Sequence, residues 1–152
     1  MILFSTIIVS CLFLETSSQT PCPDQWYWHG GSCYAFITNL KANWMDAVAF
    51  CQNAHSKLTE IESSSEDQFL RTHLTQSHLS EHFWVGGTDA YYAEGEWVWL
   101  SNPKQMTYKG WAPGEPNNGV GGACMALAYH EAFHWNDDHC KNEYDFICEK
   151  EV

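Results

Sequence analysis

Six cysteines constrain this chain more than any other feature of it. Cys22, Cys33, Cys51, Cys124, Cys140 and Cys148 all follow an apolar N-terminal run, MILFSTIIVSCLFL, which holds the seventh, Cys11. The run is short for a bilayer-spanning helix, which needs about 20 apolar residues, and small polar residues follow it. Thr16 and Ser18 suit the −3 and −1 positions of a cleavage site before Gln19. The expectation is a signal peptide over residues 1–18 and a secreted, extracellular domain over residues 19–152, with no membrane anchor. Cys11 leaves with the leader, so seven cysteines become six. An even number in an exported chain points to a disulfide framework. Spacing does not choose among the many pairings: Cys22 and Cys33 suit a local hairpin clip, and Cys124 and Cys140 bracket a short segment.

The remaining chain is long enough for one domain with its own core. GSCYAFIT reads as a strand, rich in aromatic and β-branched residues. ANWMDAVAFCQNA reads as a helix with Asn43 as N-cap and Asp46 three residues on; Ala47, Val48, Phe50 and Cys51 form its apolar face. LTEI is a short strand. SSSEDQFLRTHL is a second helix, where Ser63 and Glu66 form a capping-box pattern and Phe69, Leu70 and Leu74 face the core. FWVGG, EWVWL and YDFICEK read as strands, and CMALAY fits either a strand or a helix. Two early helices followed by strands indicate an α+β fold. Residues 101–123 hold three prolines and five glycines without periodicity. A loop of that length in a compact domain is a place to look for a site.

The formal net charge is −12 with only seven Lys plus Arg; loss of Glu15 with the leader brings it to −11. No basic stripe is present, which argues against nucleic acid or an anionic membrane as partner. The acidic surface serves solubility and permits calcium binding. The eight Trp, seven Tyr and eight Phe suit a core, and some suit stacking on sugar rings. No N-x-[ST] sequon occurs, so N-glycosylation is not expected.

One stretch, His130 to Asp137 (HEAFHWND), carries two readings. His130-Glu131-Ala132-Phe133-His134 matches H-E-x-x-H, which holds zinc only on a helix, where one turn puts both imidazoles on one face. The only later histidine nearby is His139, five residues on across a segment poor in helix formers, and Cys124 and Cys140 bracket the stretch as in a closed hairpin. No enzyme is therefore expected; Glu131 to Phe133 read as a hairpin tip. The second reading is calcium. Ca²⁺ takes six to eight oxygens, and Glu115-Pro116-Asn117 and Asn136-Asp137 each supply a carboxylate and an amide.

With those clusters set among the cysteines, the chain resembles the C-type lectin domain, long form, and is similar to small secreted perlucin-like lectins. The resemblance runs from Cys22 to Glu149. It rests on CPDQWYWHGGSCYAF, on WVGG (Trp84 to Gly87), on EPN (Glu115 to Asn117), on WND (Trp135 to Asp137) and on FICEK. It implies a C-type lectin-like fold: two helices, antiparallel sheets and a long calcium- and ligand-binding loop. It implies the pairs Cys22–Cys33, Cys51–Cys148 and Cys124–Cys140 and a cis Glu115–Pro116 peptide. It also implies a Ca²⁺ cofactor held by Glu115, Asn117, Asn136 and Asp137, on which two neighbouring sugar hydroxyls replace water while bonding to the same side chains. Glu115 before Asn117 resembles the mannose-type order, for sugars with equatorial 3- and 4-hydroxyls: mannose, glucose, fucose and N-acetylglucosamine (GlcNAc).

The pattern departs from the family at Gly122, where a further ligand Glu is usual; this implies weaker calcium binding, with Glu131 as a candidate substitute. For the family's auxiliary calcium site, Asp89 and Glu94 resemble ligands, but Asn118 and Ala123 replace acidic residues. His130 and His134 are surface or packing residues, with a sharper expectation that their protonation weakens ligand binding. The function expected is a calcium-dependent carbohydrate-binding lectin, for example in innate recognition of microbial glycans, gaining from a homo-oligomer through multivalency. The alternative is the same scaffold binding protein, ice or mineral without sugar, since fold does not fix function.

Overall fold

The computed structural model describes residues 21–103 and 105–152; the leader expected at residues 1–18 lies outside them. The architecture is α+β. Strands β1 (Tyr27–His29) and β2 (Ser32–Ala42) form a hairpin. Its two-residue turn is Gly30–Gly31, both with positive φ, the backbone a tight hairpin of this hand requires. The Cys22–Cys33 disulfide ties the segment before β1 to β2 beside that turn.

Helix α1 (Trp44–Asn53) starts where the Asn43 side chain accepts from the Asp46 N–H at 3.0 Å and donates back to its carboxylate at 2.7 Å. Helix α2 (Ser64–Gln76) starts at Ser63, whose hydroxyl accepts from the Glu66 N–H. The Glu66 carboxylate does not close a capping box on Ser63. It takes the Glu62 N–H at 2.9 Å and the Tyr34 hydroxyl at 2.7 Å, tying the helix to β2. On α1 the buried face includes Trp44, whereas Phe50, expected inside, is 39% exposed; Phe50 lies edge-on to Phe146 at the rim of the core.

The other strands are β3 (Lys57–Leu58), β4 (Phe83–Thr88), β5 (Val98–Trp99), β6 (Cys124–Ala128), β7 (His134–Asp138) and β8 (Tyr144–Glu151). CMALA is therefore a strand, with β4 on one side and β7 on the other. The sheet order is β1-β2-β8-β4-β6-β7, with β3 on β8 and β5 on β4. The pairings are antiparallel except β4 with β8, which is parallel and departs from the expected antiparallel sheets. The cause is topological: β8 returns to pair antiparallel with β2 and so inserts between β2 and β4.

Side chains alternate across the sheet, as the period of two in a strand demands. Phe83, Val85, Met125, Leu127 and Ile147 join Leu70 and Leu74 of α2 on one face. Trp84, Ala126, Phe146 and Cys148 join Trp44, Ala47 and Val48 of α1 on the other. Cys51–Cys148 bolts α1 to β8, and Cys124–Cys140 closes the β6–β7 region. Among the described residues no helix is long and apolar enough to cross a membrane.

One polar cluster is buried with this core. Glu149 accepts from the Ser32 hydroxyl at 2.9 Å and the Glu60 N–H at 3.1 Å, with Lys57 at 3.9 Å. Burial, against the pull of Lys57 and with the push of Glu66, raises its carboxyl to about 7. Burial also raises Glu66 and Asp67. A carboxyl raised in the folded state holds its proton better there than in the unfolded chain. Stability therefore falls as pH rises from the ordinary carboxylate range to about 7, and levels off above. Melting temperatures at about pH 5 and about pH 8 check this: the lower pH is expected to be the more stable, and Glu149→Gln to flatten the difference.

Candidate calcium and glycan site

The long segment after β5 is pinned to β7 before it reaches the candidate ligands. Trp135 donates its backbone N–H to Gly110 at 3.0 Å, and Ala112 donates to the Trp135 carbonyl at 2.8 Å. The Trp135 indole donates to Asp67 of α2 at 2.8 Å. Gly110 fits because a Cβ there would stand 2.8 Å from the Trp135 indole nitrogen and 2.9 Å from Asp67. The chain then turns through a cis Glu115–Pro116 peptide.

Asp137, 1% exposed, holds the loop beyond that turn. Its Oδ1 accepts the Asn117 N–H at 2.7 Å and its Oδ2 the Asn118 N–H at 2.8 Å. The Asn118 side chain donates to the Asp137 carbonyl. The Asn117 amide donates to Glu115 Oε1 at 2.8 Å. Thus Glu115, Asn117 and Asp137 are brought together. Asn136 precedes Asp137 on β7, half-buried, and its side chain makes no hydrogen bond among the described residues. The sequence connects Asn118 only with the auxiliary site; its clamp on Asp137 depends on a loop closure that no local pattern announces.

Glu115 is the uncompensated group. Its Oε2 is buried and has no hydrogen-bond partner. Burial, then contact with Asp137 and its charge, then the charge of Glu131, raise its carboxyl to about 7 while Asn117 opposes. Two carboxylates that meet in a partly buried site, one with an orphaned oxygen, suit a hard divalent cation. Among the described residues no three His, Cys, Asp or Glu side chains cluster as a metal site, so the donor set depends on the Asn117 and Asn136 amides. The chemistry of that donor set suits Ca²⁺, which accepts carboxylate and amide oxygens; of its members Glu115, Asn117 and Asp137 are in contact.

Gly122 is packed against this arrangement. A Cβ there would fall 2.4 Å from the Asn118 Cβ and 2.8 Å from Asp137 Oδ2. Gly122→Ala is therefore expected to cost about 1–3 kcal/mol as an overpacking change, read as a lower melting temperature of the calcium-free domain. A variant as stable as the parent contradicts the tight packing.

HEAFH is not helical. Residues Tyr129–Glu131 form a single 3-10 turn, Ala132 and Phe133 have positive φ, and His134 opens β7. The two imidazoles part: His130 packs edge-on to His82, and His134 meets the Arg71 guanidinium. The one-faced pair that H-E-x-x-H needs does not form. At the position of the auxiliary site, Asp89 is buried and accepts the Gly95 N–H at 2.9 Å, while Glu94 is exposed.

Residues 40–150 match the family model of the lectin C-type domain. This chain belongs to the C-type lectin domain family. Perlucin of Haliotis laevigata is 35% identical over 133 residues, covering 86% of this chain and 83% of perlucin. Asialoglycoprotein receptor 1 of Rattus norvegicus is 32% identical over 141 residues, 90% of this chain but 47% of the receptor. The chain thus spans about half the length of the latter relative. Among solved structures, the SPL-1–GlcNAc complex aligns with a TM-score of 0.77 at 31% identity, over 88% of this chain and 97% of that one. A calcium-independent type II antifreeze protein aligns with a TM-score of 0.74 at 27% identity, over 86% and 94%. This C-type lectin domain therefore shares its scaffold both with a sugar complex and with a protein that does without calcium.

Proposed function

We propose that this domain is a secreted, calcium-dependent lectin that binds mannose-type glycans through Glu115, Asn117, Asn136 and Asp137. The observation that carries the reading is the buried, partnerless oxygen of Glu115 beside Asp137. When bound, Ca²⁺ supplies a Lewis-acidic point that two neighbouring sugar hydroxyls ligate. The chain's own residues supply the rest. The Glu115 and Asp137 carboxylates accept from those hydroxyls, and the Asn117 and Asn136 amides donate to them. Glu115 standing before Asn117 favours equatorial 3- and 4-hydroxyls, as in mannose, glucose, fucose and GlcNAc. GlcNAc in the similar SPL-1 complex supports a sugar with that pair. Residues 1–18, as a cleaved leader, make the domain extracellular, where recognition of microbial glycans is a fitting role and oligomers raise avidity.

A second reading keeps the scaffold without the sugar and assigns protein or mineral binding. It is favoured by Gly122, which stands where the family resemblance implies a ligand Glu, by the calcium-independent antifreeze neighbour and, for mineral, by the acidic net charge of −12. Chromatography on immobilised mannose separates the two. The lectin is retained in calcium and released by EDTA or free mannose; passage through the column in calcium favours the second reading.

A further inference from the structure

Of all the asparagines in the chain, Asn118 alone is followed by glycine. Asparagine is chemically labile, and this pairing is its most labile setting: the side-chain amide carbon lies within reach of the next backbone nitrogen, and glycine puts no Cβ in the way. Asn118 and Gly119 are both exposed. The Gly119 N–H makes no hydrogen bond among the described residues, so its nitrogen is free to react. Contacts to β7 hold Asn118 in place. Its backbone N–H donates to Asp137 Oδ2 at 2.8 Å, and its side-chain amide donates to the Asp137 carbonyl. In that closed form Asn118 has φ −84° and ψ −3°. A ψ near zero sets the Gly119 nitrogen beside the nitrogen of Asn118 and away from its side chain, short of the geometry that an intramolecular attack needs. The reaction therefore requires the clamp to open. The chain beyond it bends readily, with glycine at 119, 121 and 122.

We propose that Asn118–Gly119 is a self-modification site, where opening of the clamp lets the chain convert Asn118 to aspartate or isoaspartate and so release the loop from β7 for good. The Gly119 nitrogen attacks Asn118 Cγ. A new N–C bond closes a succinimide ring, the Cγ–Nδ2 bond breaks, and Nδ2 leaves as ammonia with the proton from the Gly119 nitrogen. Water then opens the ring. Its attack at Cγ restores the normal backbone with an aspartate side chain; its attack at the backbone carbonyl leaves the chain running through Cγ, as isoaspartate. No electrons are exchanged, and water is the sole co-reactant. Either product has lost the donor that meets the Asp137 carbonyl and gained a negative charge beside the buried Asp137 carboxylate. Repulsion then opposes closing the clamp again. Isoaspartate also lengthens the backbone ahead of Gly122, whose place is tight: a Cβ there would fall 2.4 Å from the Asn118 Cβ.

Peptide mapping of the mature, folded domain aged in heavy-oxygen water at mildly alkaline pH, with calcium and sugar absent, reads the conversion directly. Label is expected at position 118 ahead of every other asparagine, in a pair of products of equal mass, and the aged protein is expected to melt a few degrees lower than fresh protein. Unfolding in urea is expected to speed the labelling roughly tenfold, because opening the clamp is no longer needed. Gly119→Ala is expected to slow it, whereas a change that merely loosened the loop would speed it. Asn118→Asp is expected to reproduce the melting temperature of the aged protein. If position 118 stays unlabelled in the folded domain while the urea-unfolded chain is labelled there, the site is overturned. Equal rates in the folded and unfolded chain overturn the clamp as its gate, and aged protein that melts as fresh protein does overturns the release of the loop. Neither calcium nor sugar enters the readout, so the outcome is independent of the lectin reading.

Discussion

Glu115→Gln is expected to abolish calcium-dependent sugar binding and at the same time to stabilise the calcium-free domain. The two effects have one cause. In the native chain the Glu115 carboxylate meets that of Asp137 with its Oε2 buried and unpartnered. A cation compensates that arrangement; without one it is a like-charge contact. Glutamine keeps the shape, removes one negative charge and offers an amide N–H to Asp137. Calcium affinity follows ligand charge, so its loss is on the order of a hundredfold. The melting temperature in EDTA rises by a few degrees as the repulsion disappears. Calorimetry and thermal unfolding of the same variant read both signs. A purely structural Glu115 would show the opposite, a lower melting temperature with calcium binding intact.

The second large effect comes from removing the Cys51–Cys148 bridge by paired Ser substitutions. The bridge closes a loop of 97 residues between α1 and the last strand. The chain-entropy model puts such a loop at about 4–5 kcal/mol, against about 3 kcal/mol for one of a dozen residues. Net stabilities of domains run to only about 5–15 kcal/mol, so the variant loses much of its margin and melts roughly 15 °C lower. Both sulfurs are buried, so the substitution also leaves hydroxyls in the α1-side core. Removing Cys22–Cys33, with a separation of 11 at the edge of the sheet, is expected to cost less. The reverse order in thermal unfolding contradicts this account of what holds the fold.

Much of the fold is legible in the sequence because its signals are local. Asn43 and Ser63 announce their helices as caps, and both cap in the structure. The runs at FWVGG and YDFICEK announce buried strands. CMALAY is ambiguous since its residues suit helix and strand alike; pairing with β4 and β7 decides it. Phe50 lies outside the core it is expected to join because the α1 face is set by where β4 and β8 lie, which favours Trp44. The parallel β4–β8 contact depends on where the C-terminal strand inserts, and no local pattern encodes that.

The candidate site is legible in part for the same reason. EPN and WND name carboxylates and amides, and Glu115, Asn117 and Asp137 do converge. The Asn118 clamp and the packing of Gly122 on Asp137 arise from long-range contacts. They depend on Trp135 pinning residues 110–112 to β7, a contact visible only in three dimensions.

The most direct measurement of the central claim is a calorimetric titration of Ca²⁺ into the calcium-free mature domain, alone and with excess mannose. A shared ion–sugar site predicts one calcium that binds more tightly when mannose is present, because linkage makes the coupling reciprocal. Calcium affinity indifferent to mannose, or no calcium binding at all, contradicts it and leaves a lectin scaffold that serves another ligand.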